Sequence, residues 1–424
     1  MVEAARPRLV GRLRRWAPTH GPLALPDFRR LWLVGLVIFA VRWLEMLAVG
    51  VFVYQHTGSA FDVALMTLLR MVPMALFGAW IGAVAERWQR HTALVIVILL
   101  MLATSLSLAI LSYAGQLAVW HLAVASFCNG VGWATDNPVR RVMIGDVVGT
   151  EGVGAAMSVD VGANNASRML GPTIGGLLLA GAGIGGAFTV SVSLYLIALV
   201  AALQVRHRDS AAAGGRGALA RMIEGFVLVR RDRRLVGTLV ITVIYNLFGW
   251  PFTSMVPVIG QDNLHLGATG IGVLASMDGV GAFAGAVAIA VWARPRHYIW
   301  LYVGGTTVYL AGLIVFALVP QAALAATALL LTGISSAGFS IMQATLVYLA
   351  APTNMRSRMY GVLSVCIGVG PLGFLHLGVL ADAIGAPWAT TLTGAEGLVA
   401  MVLTYPWWRV LADPRPPPSQ EARG

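Results

Sequence analysis

Six ionisable residues sit inside long apolar runs and define the chemistry this chain can host: Arg42, Glu45, Arg70, Asp136, Arg168 and Asp278. A charge near the middle of a bilayer costs a few kcal/mol or more unless it is paired or wetted. Each buried acid is therefore a candidate proton site, and each buried arginine a candidate counter-ion. Glu45, Asp136 and Asp278 are the candidates for proton coupling. Arg42, Arg70 and Arg168, with the mid-depth amides Asn165, Asn246 and Gln343, are the candidates for substrate or counter-ion contact. Asn164 lies at the same depth. Arg42 and Glu45 are three residues apart and share one helix face. Two readings stay open: a self-neutralising pair that serves packing, or a gated site in which Glu45 takes a proton when Arg42 moves to another partner. Asp136, just before Asn137 and Pro138, is expected to pair with Arg70 or Arg168. Asp146 and Asp160, nearer the span ends, are expected to pair with Arg140 or Arg141 as a gate. Trp43, Trp133 and Trp250 are placed to line a cavity.

Those residues need a membrane to make sense. Of 424 residues, 58% are hydrophobic and 11% charged, with a mean hydropathy of +0.78. Soluble domains average about 25% charged residues. All 29 basic residues are arginine. Without lysine there is no Walker-type phosphate loop and no Schiff base, so ATP hydrolysis by that route and lysine-bound cofactors are excluded. No enzyme activity, metal site or cofactor is expected; an ion gradient, most simply of protons, is the expected energy source. Cys128 and Cys366 form no framework. Gly181, Gly183 and Gly186 match a dinucleotide fingerprint, but no strand precedes them. His121 and His376 are expected to make packing or hydrogen-bond contacts rather than bind metal.

Spans of about 20 apolar residues occur at 31–54, 63–85, 92–113, 117–145, 152–180, 185–205, 234–260, 268–292, 298–319, 322–350, 357–381 and 387–410. Turn signals separate several of them, among them Thr57-Gly58-Ser59, Ala114-Gly115 and Gly385-Ala386-Pro387. Arginine placement gives the orientation: 26 fall in segments on one side, none on the other, and three within spans. By the positive-inside rule both termini are cytoplasmic, and nucleic acid is not an expected partner. The chain divides into an N-terminal segment 1–30, a six-helix bundle 31–205, a linker 206–233, a second bundle 234–411 and a tail 412–424. The halves echo each other. Gly78-Ala-Trp-Ile-Gly82-Ala-Val-Ala85 matches Gly281-Ala-Phe-Ala-Gly285-Ala-Val-Ala288, and Gly171-Pro172 matches Gly370-Pro371. Parallel six-helix repeats organise a large class of transporters.

Gly78-x-x-x-Gly82-x-x-x-Glu86-Arg87-x-x-Arg90 resembles the loop 2–3 motif of the major facilitator superfamily, with Glu86 for the usual Asp and Gln89 for the usual Gly. Phe28-Arg29-Arg30-Leu31-Trp32, Tyr54-Gln55-His56-Thr57-Gly58, Asn165-x-x-Arg168-x-x-Gly171-Pro172 and Arg356-Ser-Arg358-Met-Tyr-Gly361 resemble its siderophore and drug exporters of the enterobactin-exporter type. The resemblance covers nearly the whole chain. It implies an all-α integral membrane protein of 12 transmembrane helices in two pseudo-symmetric bundles. It further implies a conformational latch at Gly78, Gly82, Glu86, Arg87 and Arg90, and an antiporter-type bend at Gly171 and Pro172. Glu396, in a span peripheral in this fold, is expected to face packing or the membrane edge.

The expected function is secondary, proton-coupled export of an amphipathic small molecule by alternating access, by a monomer in the cell's inner membrane, in contact with membrane lipid. The alternatives are a lipid-flippase-like or non-pumping assembly component with the same fold, and a small-molecule importer.

Overall fold

The structure is a computed structural model that describes residues 21–87, 89–206, 229, 232–351 and 356–412. Its described residues are almost wholly helical and include no strand. In lipid each backbone N–H and C=O must be satisfied within the chain, which selects helices for runs of this length.

The first three helices are α1 (Pro26–Thr57), α2 (Ala60–Arg87) and α3 (Arg90–Tyr113). Helical backbone then runs over Val119–Leu203 with two breaks, Gly149 at φ 71° and Gly183 at φ 65°. An L side chain avoids that region, and a glycine there reverses the chain without a loop. The breaks divide the run into α4 (119–148), α5 (150–182) and α6 (184–203). Hydropathy predicts connections over 146–151 and 181–184; the structure makes each a helix-to-helix corner on one glycine.

The second half opens with α7 (Arg233–Ile244), whose start is capped by Asp232 accepting from Arg234 N at 2.8 Å. A π turn (Tyr245–Gly249), a 3-10 turn (Trp250–Ser254) and a short helix (Val256–Asp262) complete this irregular span. Then follow α8 (Ala268–Trp292), α9 (Tyr298–Leu318) and α10 (Ala322–Ala350). The last two spans are α11 (Arg356–Ile367 with Gly370–Ile384) and α12 (Ala386–Leu403, extended by Tyr405–Trp408). Eight described segments are each long and apolar enough to cross a bilayer, and one of these, Gly152–Leu203, holds two spans folded at Gly183. With the shorter or more polar segments, twelve spans alternate in direction.

Small residues set where the halves touch. A methyl on Gly272 of α8 would lie 2.5 Å from the Pro172 carbonyl oxygen, and one on Gly176 of α5 would strike the Ala268 carbonyl. Helix α5 thus packs on α8 with backbones nearly touching, as small-residue motifs permit. Gly378 of α11 approaches Phe61 and Ala64 of α2 in the same way. The repeat residues Gly281 and Gly285 instead pack α8 onto α10, against Leu330 and Ile334. Most of the linker 206–233, the tail beyond 412 and residues 1–20 lie outside the described residues.

Candidate functional site

Helix α1 carries the centre of the site because its mid-depth residues face three neighbours. Glu45, 1% exposed, accepts from Ser105 Oγ of α3 at 2.8 Å and from Asn129 Nδ2 of α4 at 3.2 Å. Its ion-pair partner is Arg70 of α2, at 3.5 Å. Arg70 also donates to the Arg42 carbonyl at 3.2 Å. Four helices of the first half thus converge on one carboxylate.

The expected Arg42–Glu45 pair is not formed. Arg42 points along its helix to Asn164 Oδ1 of α5, at 3.1 Å, and lies over the rings of Trp133 (4.6 Å), Trp43 (5.1 Å) and Phe39 (5.7 Å). Aromatic faces and an amide replace the carboxylate as its environment. The amide involved is Asn164, while Asn165 is only partly buried. Asn246 donates to Thr242 O within α7, and Gln343 of α10 reaches Thr242 Oγ1 at 3.1 Å. Gln343 thus ties α10 to α7, while Asn246 bonds only within its own span, and both lie away from the charges on α1.

Asp136 pairs with neither Arg70 nor Arg168. It accepts from Arg140 Nε at 3.1 Å, one turn on along α4, and Arg140 also bonds Asp160 of α5. Arg140 is fully buried, so it is no loop charge. Gly35 of α1 makes room for its guanidinium, which lies 5.0 Å from the Phe39 ring. Arg141 adds a 3.4 Å contact to Asp160, as expected, but Asp146 pairs with Arg90 at 2.6 Å instead. The sequence signal for Arg140 was its i, i+4 spacing from Asp136.

Asp278 of α8 pairs with Arg168 of α5 across the two halves. Below the arginine-free end, Thr173 N and Oγ1 meet Ser276 Oγ at 3.1 and 2.7 Å. At that end Tyr54 bonds Asp262, and Asp382 of α11 accepts from Phe61 N at 3.0 Å and Ser59 Oγ at 3.2 Å. All the inter-half hydrogen bonds among the described residues thus lie at mid-depth or toward the arginine-free end. Gly171 abuts Trp43, and Pro172 lies inside α5, facing Gly272. The latch residues Gly78, Gly82, Glu86 and Arg87 fall on the last turns of α2, and their surroundings lie outside the described residues.

One cavity joins these parts. It is walled by apolar residues such as Met66, Leu122, Phe188 and Phe252, and its polar side holds Glu45, Arg70, Asn129, Arg168 and Asp278. Trp43 lines it. Trp133 flanks Arg42 and lines a small second cavity with it, Arg70 and Asn129, while Trp250 packs against Phe374. Peripheral Glu396 meets His376 at 2.7 Å, which gives that histidine the hydrogen bond expected of it. His121 caps Ala118 N at 3.0 Å.

A twelve-span helical body in two halves, with a buried ion network beside a mainly apolar cavity at their junction, defines a membrane transporter of the major facilitator type. The chain belongs to the transmembrane secretion effector family, whose model matches residues 17–411. It is 20% identical to a macrolide efflux protein A of Streptococcus pyogenes over 84% of this chain and 90% of that protein. It is 24% identical to the multidrug efflux pump Tap of Mycolicibacterium fortuitum over 86% and 90%. A solved POT family transporter in complex with 5-aminolevulinic acid superposes with a TM-score of 0.73 at 12% identity, covering 92% of this chain and 97% of that one. The chain is therefore a multi-pass membrane protein and a secondary transporter, not an enzyme.

Proposed function

We propose that the protein exports an amphipathic small molecule in exchange for protons, by alternating access, with Glu45 as the coupling acid. The observation that carries this reading is the shared cavity. The buried Glu45–Arg70 pair and the inter-half Arg168–Asp278 pair both line one mainly apolar chamber. A proton on Glu45 would release Arg70, and a change at Arg70 is felt by α1 through the Arg42 carbonyl. The halves are held together at the arginine-free end. With that end outside, as arginine placement supports, the structure is the state closed to the exterior. The two efflux relatives favour export over import and over a non-pumping role.

The test is accumulation of a radiolabelled macrolide in everted vesicles energised by respiration, with and without a protonophore. Accumulation that the protonophore abolishes is expected. Accumulation indifferent to it would overturn proton coupling, and none at all would overturn export of that class.

A further inference from the structure

Residues of the cavity wall carry buried polar atoms that make no hydrogen bond within the protein. Trp43 Nε1 is a donor without an acceptor; Asn129 Oδ1 and Asp278 Oδ1 are acceptors without donors; Arg168 Nε is a second idle donor. All four residues line the same cavity, and Trp43, Asn129 and Asp278 are at least nine-tenths buried. Each of the three buried residues is already fixed. Asn129 spends its amide N–H on Glu45, Asp278 spends its other oxygen on Arg168, and Trp43 is wedged between Arg42 and Arg168. An unmet buried polar atom is costly, and most such atoms in a folded protein find partners. Four such atoms, on cavity-lining residues of α1, α4, α5 and α8, are a set that a guest would satisfy.

Charge says what kind of guest. The ionised groups on the cavity wall are Glu45, Arg70, Arg168 and Asp278, two of each sign. They already pair with one another. While Glu45 is ionised and paired, as it is here, a cation or an anion placed among them would leave a net charge in a poorly solvated chamber. A hydroxyl or amide group would not, and it can donate and accept at once.

We infer that the polar side of this cavity recognises an uncharged group, rich in hydroxyls or amides, on an otherwise apolar molecule, through Trp43 Nε1, Asn129 Oδ1 and Asp278 Oδ1. This names the substrate class of the chamber and rests on the transport reading only for its biological use. Binding itself needs no gradient.

The experiment uses the full chain in lipid nanodiscs and compares melting temperatures with three eight-carbon probes below their micellar concentrations: octyl glucoside, octyltrimethylammonium and octyl sulfate. Octyl glucoside should raise the midpoint by about 2 °C at several times its Kd, and the charged probes should not. Trp43→Phe removes the unused N–H together with the pyrrole ring of the indole. Without probe it should melt somewhat below the wild type, as a large-to-small change at a buried site does, and, measured from its own baseline, it should lose most of the glucoside shift. Asn129→Asp, which keeps the size and adds a charge, should lose it too. A larger shift with either charged probe, or a glucoside shift that survives both substitutions, would overturn the inference. If vesicle export fails while the glucoside shift and its loss in the variants persist, the export reading falls and the binding inference stands. If export succeeds without discrimination among the probes, the reverse holds.

Discussion

Arg70, not Arg42, neutralises Glu45, and this changes which substitutions should matter. Removing one member of a buried ion pair strands the other and costs about 3–5 kcal/mol. Arg70→Met should therefore lower the melting temperature strongly, while Arg70→Met with Glu45→Gln should recover much of the loss. Arg42→Met should do less, since it gives up an amide bond and ring contacts but leaves no carboxylate alone. Glu45→Gln alone keeps a group able to bond Ser105 and Asn129, though it leaves Arg70 without its carboxylate and should lower the melting temperature too. It should fold, reach the membrane and lose protonophore-sensitive export; normal coupled export would make Glu45 structural. Gly35 offers a control away from the cavity. A methyl there strikes the Arg140 guanidinium, itself held by Asp136 and Asp160. Gly35→Ala should destabilise by about 1–3 kcal/mol, the usual cost of overpacking, read as a fall in thermal midpoint of the purified protein. The sequence could show that these charges were buried and few. It could not show partner choice, because Arg70 reaches Glu45 from another helix while the nearer Arg42 is turned toward aromatic rings.

Helix α5 meets α8 through glycines, and α2 meets α11 through Gly378 and the acid Asp382, so closure at the arginine-free end depends on close backbone packing and on hydrogen bonds. Asp382 accepts from the backbone of Phe61 and from Ser59, which makes it a cap supplied to α2 by the opposite half. Removing it takes away a charge-assisted bond without touching either bundle's interior. Asp382→Ala should shift the population toward opening at that end. Spin labels at residues 58 and 385, read by pulsed electron resonance, should show a longer distance component that grows in the variant. An unchanged distribution would mean that the remaining contacts, the glycine packing with the Tyr54–Asp262 and Thr173–Ser276 bonds, hold the closure. At this scale the sequence was informative where punctuation was strong. Gly58, Gly115 and Gly385 all have positive φ and mark true ends. It was weaker where one glycine does the work of a loop, as at Gly149, and silent on the π and 3-10 turns of α7. Those turns follow from Pro251 and Pro257 and from the packing of Tyr245 on Phe339 at 3.6 Å, a tertiary contact no local pattern contains.

The distribution of arginine over the whole molecule predicts which end of it faces the cytoplasm. Hydropathy and charge alternation made twelve spans legible because the bilayer imposes length and the positive-inside rule imposes parity. The same count puts Arg140 among the loop charges, although it lies about two turns inside α4 and faces Asp160. That leaves 25 arginines in the flanking segments and four within spans, and the asymmetry survives the transfer. It predicts an orientation that can be measured on single-cysteine variants after Cys128 and Cys366 are replaced by alanine. A cysteine at position 115 or 385, both at positive-φ corners of the arginine-free end, should react with a membrane-impermeant maleimide in intact cells. A cysteine at 213 or 420 should react only after the membrane is everted or broken. The reverse pattern would place the closed end in the cytoplasm. The structure would then be the state open to the exterior, and the proton on Glu45 would enter from the side on which the present reading has it leave.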